Sequence, residues 1–97
     1  MPQDKKRVGP IRLVAAGDEF AESCRIIGCL WVGSTTAGDT VEIRGREESA
    51  TAILWSARTD TTNTFLGAIW GTPGIHAPDG FRAAVVASGE VFVYLAE

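Results

Sequence analysis

A chain of 97 residues is the size of one domain with one core. Its apolar fraction of 45% excludes a disordered polymer, and its net charge of -3 argues against a dedicated nucleic-acid binder, whose domains are usually basic. No apolar run reaches the roughly eighteen residues of a membrane-spanning helix, so no membrane partner is expected.

Residues 1–9 read as a flexible arm ahead of a single domain over 10–97. Lys5, Lys6 and Arg7 form a basic cluster before Gly9-Pro10. Such an arm is suited to an acidic neighbour, provided that its contacts offset the entropy of ordering it. No apolar stretch follows these charges, so synthesis in the cytoplasm is expected rather than export by a signal peptide.

Ile11 to Ala16 reads as a first strand, closed by Gly17-Asp18. Glu19 to Ser23 is open between a helical turn capped by Asp18 and a surface loop. Arg25 to Val32 is the strongest strand. Strict alternation puts Ile27, Cys29 and Trp31 on one side, with Ile26, Gly28, Leu30 and Val32 on the other. A strand apolar on both sides needs cover on both. Cys24 and Cys29 stand an odd number of residues apart, which argues against a disulfide, and their spacing is not that of a metal-binding pair.

Gly33 to Asp39 is a connection. Thr40 to Ile43 alternates, with Val41 and Ile43 inward, and Arg44 to Ser49 is a solvated loop. Thr51 to Ala57 is a strand that sets Ile53, Trp55 and Ala57 against Ala52, Leu54 and Ser56. Arg58 to Thr64 is a polar rim loop, and Phe65 to Trp70 resumes strand character. Ile75 to Ala77 is a short edge segment before the Pro78-Asp79-Gly80 turn. Phe81 to Ala87 and Glu90 to Leu95 then flank Ser88-Gly89 and read as a hairpin. In the last run Val91, Val93 and Leu95 oppose Phe92 and Tyr94.

About seven or eight short strands without a βαβ rhythm favour an all-β fold. The expectation is a small antiparallel β-sandwich, jelly-roll-like, with a small barrel as the alternative.

Chemistry is hard to find in this pattern. The carboxylates fall in turns or on outward strand positions rather than in a convergent pair. His76 is the single histidine. Neither Ser23 nor Ser88 lies in a nucleophile elbow, and there is no phosphate-cradling glycine motif. The expectation is a non-enzyme with no cofactor and no metal. Of Trp31, Trp55 and Trp70, the last precedes a turn and is the candidate for stacking on a ligand such as a sugar.

The strands Ile11 to Ala16, Cys24 to Val32, Asp39 to Ile43 and Thr51 to Trp55, followed by Gly80 to Val86 and Val91 to Leu95, give a layout that resembles small β-sandwich virion proteins of tailed bacteriophages. These serve as capsid decoration (cement), head-spike or tail components. The resemblance covers most of residues 11–95. It implies a non-enzymatic capsid decoration protein that self-associates, as a trimer in the first instance, and binds the major capsid or another virion protein. The protein would be made in the host cytoplasm and end in the virion. A tail or head-spike component and a carbohydrate-binding module are the alternatives. On this reading Ile26, Leu30, Trp55, Phe92 and Tyr94 supply interface positions, and the Lys5, Lys6 and Arg7 arm assists docking.

Overall fold

The computed structural model describes residues 10–46 and 53–96. Among them nine short strands form. They are β1 (Ile11–Leu13), β2 (Glu19–Phe20), β3 (Cys24–Val32), β4 (Thr40–Gly45), β5 (Ile53–Arg58), β6 (Phe65–Ile69), β7 (Ile75–Ala77), β8 (Phe81–Val86) and β9 (Glu90–Leu95). Gly33 follows β3, Arg46 β4, Thr59 β5 and Pro78 β7, whereas β1 stops short of Ala16 because the Asp18 carboxylate accepts from the backbone N–H groups of Val14 and Ala15.

They pair antiparallel into two sheets. One is five-stranded in the order β1-β9-β3-β6, with β7 also paired to β3, and the other is four-stranded in the order β2-β8-β4-β5. The fold is therefore sandwich-like, and no strand pair joins the two sheets into a barrel among the described residues. The segment left open between a helical turn and a loop is β2, which adds an edge strand through Glu19–Arg82 and Phe20–Phe81.

Between the sheets lie Leu13, Ile26, Cys29, Trp31, Val41, Ile43, Phe81, Ala83, Val91 and Val93, all buried. Burying a large apolar side chain is worth about 1.5–3 kcal/mol, so this cluster is the main source of stability. Phe20 covers one end of it, its ring 5.5 Å from that of Phe81.

In β5 the register against β4 shifts between Ile43 and Arg44, so Ile53 is exposed while Trp55 packs on the core, and the two do not share a side as alternation has it. Two further expectations are overturned. The first is the face of Ile26. The register of β3 against β9 shifts between Ile26 and Gly28, leaving Ile27 as an additional residue. A bulge of this kind sets two residues against one and restarts the alternation. Ile26, Cys29 and Trp31 thereby all reach the core, while Ile27 and Gly28 follow each other on the outer side. Trp70 holds the bulge: its backbone N–H donates to Ile27 O at 3.0 Å, and its indole Nε1 donates to Ile26 O at 2.8 Å.

The second is the terminal hairpin. β8 and β9 lie in different sheets, so the Ser88-Gly89 turn crosses the sandwich instead of joining neighbours. Gly89 has φ 72°, and a Cβ there would sit 2.3 Å from Val32 O. Only glycine fits so close a crossing. The Trp31 indole donates to Ser88 O at 2.9 Å and fixes the turn over the core.

The same end of the molecule is closed by hydroxyl groups. Ser34, Thr59 and Thr64 are buried. Ser34 Oγ donates to Thr61 O at 3.0 Å and accepts from Thr64 N at 3.2 Å. Thr59 Oγ1 accepts from Thr61 N at 3.2 Å and lies 3.0 Å from Thr64 Oγ1. The threonine-rich loop is thus a polar rim over residues 60–63, which are exposed, while Thr59 and Thr64 at its base form a bonded plug with Ser34. Nearby, Ser88 Oγ donates to Asp39 Oδ2 at 2.5 Å and accepts from Thr35 N at 2.9 Å.

Candidate functional site

The outward face of the five-stranded sheet is the feature that the core does not use. Cross-strand register sets its side chains in rows. Tyr94, Gly28 and Ile69 form one, Phe92, Leu30 and Gly67 the next, and Glu90, Val32 and Phe65 the third. Arg12 extends the middle row on β1 and pairs with Glu90 through its guanidinium. The ion pair sits at the β1 side, and exposed Arg25 lies below the rows, opposite His76 on β7; between them the three rows are uncharged from Phe92, Tyr94 and Val32 to the β6 edge.

Glycine makes this face concave. At Gly67 a Cβ would meet Cys29 O at 2.8 Å and Leu30 Cδ1 at 3.0 Å, and at Gly28 it would meet Ala68 O at 3.0 Å and Ile69 Cγ1 at 3.2 Å. The missing side chains let Leu30 and Ile69 lie low across the sheet. An open apolar groove of about 670 Å³ results, walled by Ile27, Leu30, Phe65, Ile69 and Tyr94 over the two glycines. Phe65 and Ile69 are 77% and 83% exposed, unusual for side chains of their size.

Three residues expected at an interface, Leu30, Phe92 and Tyr94, share this face and are half-buried. Ile26 does not, because the bulge turns it into the core. Trp55 also faces inward, half-buried and packed against the core cluster opposite Ile43. Trp70 is half-buried and packs there too, with its indole nitrogen committed to Ile26 O, so it is a clamp on β3 rather than an open stacking platform. Lys5, Lys6 and Arg7 lie outside the described residues. Phe65 and Ile69 were legible as strand residues, but their exposure was not, because alternation gives two faces without saying which is covered. The signal available was Phe65, Gly67 and Ile69 at every second position.

Elsewhere the groups are spread out. Among the described residues, no three His, Cys, Asp or Glu side chains come together as a metal site. His76 is exposed on β7 opposite Arg25. Cys29 is buried, and burial pushes its thiol up to about 12 from an ordinary 9.0, which keeps it protonated and poorly nucleophilic. On the four-stranded sheet the outward face is mixed, with Arg44 bonded to Glu42 at 2.8 Å, Arg46 paired with Glu19, and Ile53 exposed opposite Arg44. A shallow hollow there is lined by Thr40, Glu42, Ser56 and Arg58 together with Val41, Ala57 and Val85, and lacks the large exposed side chains of the groove. The two outer faces therefore differ in that only the five-stranded sheet carries a continuous apolar groove, bordered by Arg12, Glu90 and Arg25. Comparison of the chain with protein-family models, curated proteins and solved structures found no match.

Proposed function

We propose that this is a non-enzymatic assembly protein, most specifically a capsid decoration protein of a phage virion, that docks through the outward face of the five-stranded sheet. The observation that carries the reading is the contiguous apolar surface from Phe92 and Tyr94 to Phe65 and Ile69, which a partner has to cover to gain its burial energy. The opposite face, laced with Arg–Glu pairs, stays in solvent.

The strand order supports the setting. Apart from β7, the orders β1-β9-β3-β6 and β2-β8-β4-β5 correspond to the two interleaved sheets of a jelly roll, an architecture used by capsid proteins and by lectins. Fold alone does not assign function. The one-sided apolar face is what favours docking onto a protein shell over sugar binding, since the tryptophan suited to stacking is tied into the bulge.

The test is mass spectrometry of gradient-purified particles from a lysate of the source cells, with the soluble fraction in parallel. The protein is expected in the particle fraction. Tyr94→Asp places a charge in the docked face and is expected to lower the particle-bound fraction about tenfold or more while leaving the circular dichroism unchanged. Recovery of the wild-type chain in the soluble fraction alone would reject the reading.

A further inference from the structure

We propose that β6 is a self-pairing edge, at which two copies of this chain join antiparallel along Phe65–Ile69 about a two-fold axis through Gly67. This concerns the rim of the five-stranded sheet and stands whatever the apolar face docks against.

The backbone supplies the first argument. Among the described residues, β6 pairs with β3 alone. Gly33 N donates to Thr64 O and Trp70 N donates to Ile27 O, each at 3.0 Å. These two bonds flank the β3–β6 ladder in the same register. In an antiparallel ladder, bonded and non-bonded pairs alternate. Leu66 and Ala68 therefore turn their N–H and C=O groups toward β3, whereas Phe65, Gly67 and Ile69 turn theirs to the open edge. The residues with outward side chains are the ones whose backbone groups face no strand among the described residues.

The sequence of β6 supplies the second. Exposed edges are ordinarily protected by charge, proline or a bulge. Phe-Leu-Gly-Ala-Ile has none of these, and its neighbours Thr64 and Trp70 are also uncharged. Two copies aligned here bring no like charges together. The outward order of large, glycine, large reads the same from both ends, so a two-fold axis at Gly67 sets Phe65 opposite Ile69 of the other copy twice over. Closed dimers require this self-complementarity. About six backbone hydrogen bonds would form, and aromatic–β-branched cross-strand pairs are among the favourable ones. A foreign strand would have to supply that match, and a second copy carries it already.

Area sets the strength. The strand has 5 residues, with Phe65 and Ile69 as its exposed large side chains. Covering these falls short of the roughly 800 Å² per partner of a standard stable interface. The pairing is therefore reversible and depends on concentration. It is also two-fold, where the phage resemblance implies a trimer.

Light scattering over a dilution series, with residue-resolved amide exchange at both ends of it, tests this. The mass is expected to rise from one chain toward two. The Phe65, Gly67 and Ile69 amides are expected to exchange fast when dilute and at least about tenfold slower when concentrated, while Leu66 and Ala68 stay protected throughout. Ile69→Lys, at an exposed position, is expected to hold the chain monomeric with an unchanged melting temperature. A monomer at every concentration, a trimer with no dimer, or a dimer whose three edge amides still exchange freely would overturn the proposal. The last two would leave docking by the apolar face intact, and Tyr94→Asp tests that face separately.

Discussion

Cys29 stands on the inner side of β3 with Val93 and Ala68 as its cross-strand neighbours. Its thiol is raised by burial from 9.0 to about 12. The sign of the consequence follows from linkage. Above about pH 9 the unfolded chain gives up this proton while the folded chain keeps it, so the unfolded state binds fewer protons and stability falls as pH rises. The effect is confined to the window from 9.0 to about 12 and its slope approaches ~1.4 kcal/mol per pH unit. Urea titrations of the wild type and Cys29→Ala from pH 7 upward should diverge below pH 9 little and above it steadily, the alanine variant losing less. A constant difference between the two across that range would mean that Cys29 does not titrate in this way. Below pH 9 the same burial should leave Cys24, which is half-buried, as the first thiol to be alkylated.

At the scale of elements, the loops at the Ser88 end hold together through neutral hydroxyls. Thr59→Val keeps the shape of the side chain but removes the oxygen that receives Thr61 N and faces Thr64 Oγ1. Leaving those buried groups unpaired should cost about 1–3 kcal/mol, read as a lower urea midpoint with an unchanged slope. A midpoint within error of the wild type would show that the hydroxyl network is dispensable. The location of the strands was legible in the sequence because glycine and polar turns bracket apolar runs. Their facing was legible only where the ladder is regular. In β9, Phe92 and Tyr94 oppose Val91 and Val93 as alternation requires. In β3, a single residue, Ile27, reverses the side on which Ile26 lies, and nothing in an uninterrupted apolar run marks where a bulge will fall. The candidate face was half legible for the same reason: Leu30, Phe92 and Tyr94 could be placed, whereas the exposure of Phe65 and Ile69 depends on which sheet edge β6 takes. The misread hairpin has a related cause, since a two-residue turn with glycine serves a ladder and a crossing between sheets equally well.

Over the whole molecule, the chain passes repeatedly from one sheet to the other. β1, β3, β6, β7 and β9 belong to one sheet and β2, β4, β5 and β8 to the other, so neither sheet is a continuous stretch of sequence. Neither can form its buried face without the other, and a single cooperative transition is expected. Phe81→Ala, at a position with 0% exposure between the sheets, should lower stability by about 3–5 kcal/mol, a large part of what a domain of this size has. Tryptophan fluorescence and far-ultraviolet circular dichroism should shift their midpoints together. Separate midpoints would show that the sheets melt independently.

The pairing of Ile11 with Val93 brings β1 and β9 side by side in opposite directions, at the end of the sheet where Leu95 meets Ile26. The Ser34, Thr59 and Thr64 plug closes the opposite end, beyond Val32 and Phe65. Pro10 and Ala96 thus leave from one pole, away from the hydroxyl-bonded loops. A reporter domain fused after Ala96 and a dye on exposed Thr61 would mark the two poles without touching either broad face, so the pair would read out the tilt of the molecule on any surface that it covers.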